Sequence, residues 1–275
     1  MSLSFCSFAS GSNGNCYLIK SEKAAILIDA GISASRIMKE LFRTDTPKEN
    51  VKALFLTHEH TDHVTGARVL LKKLTEANVY ASSGTLEGTI RRDKHQRLSF
   101  INDINEDRRI TIVPDEAVSI GDIKVYAFRT LHDAADPCGY IIMSGGKSIA
   151  IITDTGYVTE EMINCIADAD VLVLEANHDT DLLRSGPYPY PLKKRILSDH
   201  GHLSNNQTAD ALLRTIEYYN KKRVVLLAHL SGENNTPAIA ERTVLSALAR
   251  EGHYTGRDLY MGVLNRGEAS LLYRL

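Results

Sequence analysis

Thr57-His58-Glu59-His60-Thr61-Asp62-His63 places three imidazoles and the Asp62 carboxylate within six positions. It directly follows Val51–Leu56, a short apolar run that reads as a strand, so these side chains sit where a strand opens into a loop. Such a loop can aim His58 and His60 at one point and Asp62 and His63 at a second. Neutral imidazole suits zinc, manganese and iron, and the carboxylate adds a hard oxygen and a negative charge. The stretch reads as a site for two divalent ions, zinc or manganese, with iron a third candidate. The plain alternative is a polar turn with solvated histidines.

Further ligands are expected at other strand ends, and three candidates stand there. His132 follows Ile123–Arg129, Asp154 follows Ile149–Ile152, and His229 follows Val224–Leu227. A single polar residue after a strand is ordinarily a turn residue or a cap. Three with ligand chemistry, beside the opening motif, reverse that reading.

The 275 residues are 43% hydrophobic and 24% charged, the profile of an ordinary globular chain. A net charge of −2 supplies no global basic field, so a polyanionic partner must be met by local patches. Cys6, Cys16, Cys138 and Cys165 form no CxxC pair, and three lie in apolar runs, which reads as free thiols in a reducing compartment. Met1-Ser2-Leu3-Ser4-Phe5 lacks a basic leader, and no apolar run approaches the length of a membrane span. A cytoplasmic protein without a membrane partner is expected; oligomeric state is not readable.

Strand-like runs at Leu3–Phe8, Asn15–Lys20 and Ala25–Asp29 precede a helical stripe at Ser33–Phe42, and a second helix is expected over Val64–Thr75. A strand at Val79–Ala81, a helix at Thr85–Arg92 and a polar, basic connection follow. Hairpins are expected at Ala117–Arg129 and Cys138–Ile152, helices at Glu160–Ala167, Asn205–Asn220 and Pro237–Glu251, and strands at Val171–Leu174, Arg223–Ala228 and Ala269–Tyr273. Asn206 and Thr208 are candidate caps of the 205–220 helix. Two β-rich halves flanked by helices predict one α/β domain over 1–275, an αββα sandwich of two packed mixed sheets with helices outside.

On these motifs the chain resembles the metallo-β-lactamase fold superfamily. His58, His60, Asp62 and His63 match its HxHxDH motif, and Asp29 matches its upstream aspartate. The resemblance implies one ion on His58, His60 and His132 and another on Asp62, His63 and His229, with Asp154 bridging and Asp29 orienting the histidine loop. Gly11-Ser12-Asn13-Gly14-Asn15-Cys16, Glu175-Ala176-Asn177-His178-Asp179, Tyr190–Arg195 and Gly201-His202-Leu203-Ser204-Asn205 resemble the YycJ/WalJ group. That likeness implies 5′-to-3′ exonuclease activity on DNA and a place beside a cell-wall two-component system. Glu175, His202 and His229 are also similar, in order, to role-bearing residues of the tRNA 3′-processing nucleases, with Leu203 departing from their HST-type motif. By the same resemblance, the 22-residue step from His132 to Asp154 lacks those enzymes' tRNA-gripping arm. The 75-residue step from Asp154 to His229 lacks the inserted domain of the RNase J nucleases.

Two ions about 3.5–4 Å apart suit phosphodiester hydrolysis. Asp62, Glu175 and His202 are then the catalytic candidates, with His202 held by Glu175 as general acid. Substrate candidates are Asn13, in a turn that also reads as a tight hairpin, and His178, which also reads as loop packing. Ser204 and Asn205 stand at a helix start that caps itself or holds a phosphate. Tyr190, Lys193, Lys194 and Arg195 suit stacking and a positive track for nucleic acid, DNA in the first instance. Arg91, Arg92, Lys94 and Arg97 form a second basic cluster. The competing functions are a hydrolase of small cyclic phosphodiesters, thioesters or lactones, and a metal-bearing regulatory partner without catalysis.

Overall fold

Central strands that are apolar on both faces need cover on both, and each half of this chain builds one sheet around such strands. The structure, a computed structural model, describes residues 3–91, 100–114 and 116–275. The first sheet holds β1 (Ser4–Ala9), β2 (Cys16–Lys20), β3 (Ala25–Ile28), β4 (Val51–Phe55), β5 (Asn78–Ala81) and β6 (Arg109–Thr111). The second holds β7 (Ala117–Ile120), β8 (Ile123–Arg129), β9 (Cys138–Ser144), β10 (Lys147–Ile152), β11 (Val171–Glu175), β12 (Arg223–Ala228) and β13 (Leu259–Val263). The last strand, β14 (Tyr273–Arg274), returns to pair with β1, giving the orders β14-β1-β2-β3-β4-β5-β6 and β13-β12-β11-β10-β9-β8-β7. Each sheet begins as antiparallel neighbours and continues as parallel ones from β3 to β6 and from β10 to β13.

Parallel neighbours need crossovers, and the helices supply them. They are α1 (Ala34–Arg43), α2 (Thr61–Val64), α3 (Ala67–Lys73), α4 (Ser83–Arg91), α5 (Glu160–Ile166), α6 (Thr180–Ser185), α7 (Tyr190–Ile196), α8 (Asn205–Tyr218) and α9 (Pro237–Arg250). Alternation along each strand sorts the core into three layers. Phe5, Tyr17, Ile28 and Phe55 meet Tyr140, Ile151 and Val173 between the sheets. Phe8, Leu18 and Leu54 pack outward on Ile37 and Leu71 of α1 and α3. Leu172, Leu174 and Leu227 pack outward on Ile163, Leu212 and Val244 of α5, α8 and α9. The architecture is the expected αββα sandwich.

Several local expectations change. The helix after the histidine loop begins at Thr61 rather than Val64 and breaks before Ala67. Of the closing strand expected at 269–273, only Tyr273–Arg274 pairs, while β6 and β13 were not anticipated. Both are edge strands, so one side lacks the apolar pressure that makes a strand legible. The proline-rich 186–195 stretch leads into α7, which starts at Tyr190 with Pro191 in its first turn. The cap of α8 is Ser204, which shares a capping box with Gln207. Asn206 and Thr208 lie inside that helix, and the Thr208 hydroxyl donates to the Glu175 carbonyl at 2.6 Å. None of the four cysteines forms a disulfide; Cys165 is exposed and the others are buried. Arg92, Lys94 and Arg97 of the second basic cluster lie outside the described residues.

Candidate metal centre and acid pair

Ser10, Asp29, His58, His132, Asp154, Glu175 and His229 all lie at the end of the sandwich where β1, β3, β4, β8, β10, β11 and β12 finish. The carboxyl ends of α/β sheets are where ligand-binding loops gather. Three of these residues turn sharply out of their strands: Asp29, Asp154 and His229 have φ of 60°, 57° and 54°. Left-handed backbone is strained in non-glycine residues and persists where surrounding contacts over-determine it.

Asp29 is fully buried and organises the histidine loop. Its Oδ1 accepts from the Thr57 amide at 2.8 Å, while Oδ2 accepts from the Thr57 hydroxyl at 2.9 Å and lies 2.7 Å from His63 Nδ1. Those bonds leave the Nε2 edge of His63 facing the site. Asn15 locks the loop from the other side: its amide donates to the Asp62 carbonyl at 2.8 Å, and its Nδ2 stands 3.1 Å from His63 Nε2. Gly31 must be glycine here, because a Cβ would fall 1.7 Å from the Asp62 carbonyl oxygen.

Two donor sets are built on the histidine loop, and a third group, Asp154, Glu175, His202 and His229, overlaps the second. His58, His60 and His132 bring three ring nitrogens within 4.8 Å of one another, and Asp62, His63, Asp154 and His229 do the same with four ligand atoms. Asp154 lies between them, with Oδ2 at 3.2 Å from His63 Nε2 and Oδ1 at 3.5 Å from His229 and 3.8 Å from His132. The residues fit divalent ions on two counts. The donors are imidazoles and carboxylates, and His58 Nε2 is buried without a hydrogen-bond partner.

The two sets differ in the protons they carry. Burial holds His58 well below the usual histidine range and His132 down at about 4, despite the pull of Asp154. Burial also works against a charged His229, but Asp154, Asp62 and Glu175 outweigh it and raise the pKa to about 10. Burial likewise opposes a charged His63, and Asp29, Asp154 and Asp62 lift it well above normal. An ion must therefore displace protons at the second set and none at the first. Calorimetric zinc or manganese titration is expected to resolve two classes. Affinity at the Asp62/His63/Asp154/His229 set should rise about tenfold per pH unit below pH 10 for the proton that His229 releases, while the His58/His60/His132 set, whose rings burial holds below the usual range, should depend less on pH. Parallel pH profiles would remove the distinction. The same sign governs the metal-free fold: the contribution of His229 is complete below its unfolded pKa and is lost as pH climbs through 10.

Beside the second set, Glu175 is fully buried, with Oε2 accepting from the Thr155 amide at 2.9 Å. Its Oε1 lies 2.7 Å from His202 Nδ1 and 3.0 Å from His229 Nδ1. Burial would raise the carboxyl, yet His202 and His229 outweigh it and keep Glu175 ionised below its normal range. One carboxylate thus orients both rings, with His202 3.6 Å from Asp154 Oδ1 and retaining 13% side-chain exposure.

A family model described as a beta-lactamase superfamily domain matches residues 24–230. The chain belongs to that superfamily. It is 36% identical over 250 residues to the exodeoxyribonuclease WalJ of Streptococcus pneumoniae, covering 91% of this chain and 90% of that one. It is 35% identical over 256 residues to the exodeoxyribonuclease YycJ of Bacillus anthracis, covering 93% of each. In fold it is similar to the metallo-β-lactamase fold protein YhfI of Bacillus subtilis, with TM-score 0.71, 15% identity and full coverage of both chains. It is also similar to yeast PDE1, with TM-score 0.72, 14% identity and 99% and 100% coverage. The chain is a metal-dependent hydrolase of the metallo-β-lactamase fold. Among the described residues no helix is long and apolar enough to cross a membrane.

The substrate candidates fare unevenly. Asn13 and Lys194 are exposed, and Tyr190 is 77% exposed. Lys193 donates to the Arg184 carbonyl at 2.6 Å, and Ser204 is committed to its capping box. Asn205 is buried and exchanges side-chain hydrogen bonds with Asn235, so it does not face solvent. His178 is buried, both ring nitrogens lack partners, and burial lowers its pKa to about 4. Arg195 is bidentate to Asp133, at 2.5 and 2.8 Å, and Asp133 Oδ1 in turn is 3.4 Å from His132 Nε2. Arg195 therefore braces the His132 loop. Arg195→Ala should lower turnover of small phosphodiesters and polynucleotides alike, whereas Lys194→Ala should act chiefly on polynucleotide KM. A reversed pattern in steady-state kinetics would return Arg195 to the substrate track. Ser10, Asn15, Thr57 and Asn177 are site-shaping residues that sequence reading passed over. Asn177 Nδ2 donates to the His229 carbonyl at 3.0 Å, and the His229 amide donates to Ser10 Oγ at 2.9 Å. Such polar residues beside Gly and Asp look like turn formers until the other half of the chain is in view.

Proposed function

We propose that the protein is a two-metal DNA exonuclease acting 5′ to 3′. One divalent ion, zinc or manganese, would be held by His58, His60 and His132. The second would be held by Asp62, His63 and His229, with Asp154 shared. The observation that carries the reading is the shared Glu175 carboxylate, which holds a candidate metal ligand, His229, and a ring that joins neither set, His202. A pure metal-binding module has no use for a second carboxylate-held imidazole beside its ions. When bound, the ions supply Lewis-acid charge and an activated water. Asp62 helps to hold the second ion rather than moving a proton itself. His202 donates its Nδ1 proton to Glu175 in a hydrogen bond, so Nε2 is the edge from which it protonates the leaving oxygen. DNA as substrate is supported by the two exodeoxyribonucleases, which match this chain along nearly their whole length.

End-labelled single- and double-stranded DNA and RNA, incubated with the Mn²⁺- or Zn²⁺-loaded protein, test this directly. Mononucleotide release from 5′-labelled DNA, ahead of internal fragments, is expected. Turnover confined to cyclic mononucleotides would replace the polymer with a small phosphodiester as substrate.

A further inference from the structure

Two glycines beside the site make room for one side chain, and that side chain has no partner among the described residues. A Cβ at Gly232 would stand 2.3 and 2.4 Å from Nη1 and Nη2 of Arg266, and a Cβ at Gly11 would stand 2.7 Å from its Cγ. Both glycines belong to the site's own loops. Gly232 lies three residues after His229. Gly11 bridges to Leu230, and its amide donates to Asn15 Oδ1 at 2.9 Å, the same Asn15 that reaches His63. The arginine's segment is tied down next to them, since the Ser10 amide donates to the Asn265 carbonyl at 3.2 Å.

Arg43, Arg68, Arg195 and Arg214 each pair with a carboxylate. Arg266 has no hydrogen bond or ion pair among the described residues, and its Nε is buried without an acceptor. A guanidinium is always charged and presents a planar fork of donors. Keeping one unpaired against two Cβ-free backbones makes sense where an anion completes it. Ser12 and Asn13, exposed in the same glycine turn, add neutral polar groups.

We propose that Arg266 binds a backbone phosphate of the polynucleotide next to the metal centre, with Gly11 and Gly232 required because they seat it. This rests on the nuclease reading above and names a contact within it. It also answers how a chain of net charge −2 engages a polyanion, through a placed cation rather than a field.

The test uses Arg266→Ala, Arg266→Lys, Gly232→Ala and the Arg266→Ala/Gly232→Ala double variant. Binding of a fluorescent single-stranded oligonucleotide is followed by anisotropy with metal-free protein across a salt series. Hydrolysis of that oligonucleotide and of a small chromogenic phosphodiester is followed with loaded protein. Arg266→Ala is expected to weaken oligonucleotide binding about tenfold and to reduce the slope of log K against log salt by about 0.7. Its effect on oligonucleotide KM should exceed its effect on the small ester at least about fivefold. Lysine should restore the salt slope and only part of the affinity, since it lacks the fork. Gly232→Ala should imitate Arg266→Ala and add nothing to it in the double variant. A wild-type-like salt slope and affinity in Arg266→Ala would overturn the assignment. So would equal losses on both substrates with a lowered Tm, which would make Arg266 a structural brace. A wild-type protein that hydrolyses the small ester yet neither binds nor cuts the oligonucleotide would instead overturn the nuclease reading itself.

Discussion

An Asp154→Ala protein is expected to lose its second metal equivalent and to lose turnover by about 10³-fold or more, the several kcal/mol that a two-ion clamp supplies. No other carboxylate of the described residues approaches groups from both donor sets: Asp154 faces His63 and His229 on one side and His132 on the other. The loss should also show without metal. Burial opposes the Asp154 charge, yet His229 and His63 hold the carboxyl well below its ordinary range, and their own raised values are the reciprocal of that attraction. Removing the carboxylate leaves two buried cations undercompensated, a loss that costs roughly 3–5 kcal/mol unless the rings give up their protons. NMR titration of metal-free Asp154→Ala should therefore place His229 clearly below the value of about 10 in the parent. Asp154→Asn should keep the backbone turn at φ 57° but share the loss of metal. Two full equivalents of metal in either variant, or an unmoved His229, would show that Asp154 neither bridges nor neutralises.

How much of this was legible in the sequence follows from the range of each contact. His132, Asp154 and His229 stand shortly after apolar strands, and parallel strands finish at one end, so hydrophobic periodicity pointed to them beside the histidine motif. Asp29 and Glu175 were singled out through the family resemblance. The residues that aim those ligands were not. Ser10 reaches His229 across 219 positions and Asn15 reaches His63 across 48, and neither differs in type from an ordinary turn residue. Arg195 shows the opposite failure: a cation in a Lys-Lys-Arg run reads as free until Asp133, 62 positions away, is seen to hold it. Asn205 fails likewise, because its helix-start position is visible in sequence while Asn235 is not. Arg266 went unread because its meaning lies in two missing Cβ atoms on distant loops.

His202→Ala should separate chemistry from metal. Its ring lies outside the two sets proposed to hold the ions, with Nδ1 2.7 Å from Glu175 and 3.6 Å from Asp154. Removing it leaves Glu175 Oε1 with His229 Nδ1 at 3.0 Å and Oε2 with the Thr155 amide, so the carboxylate stays satisfied and the fold should survive. With metal content and Tm near the parent, kcat is expected to fall by roughly 10²–10⁴-fold, the range for loss of a positioned proton donor. The leaving group supplies the decisive control. An ester whose leaving oxygen is already a weak base needs little protonation, so a nitrophenyl phosphodiester should suffer far less than a DNA linkage in the same variant. Glu175→Gln should reproduce part of the loss, because it keeps an acceptor for His202 but removes the carboxylate's charge beside it. If His202→Ala cut kcat equally for both leaving groups, or depleted metal in proportion to activity, His202 would be supporting the ions, and the proton donor would have to be sought elsewhere.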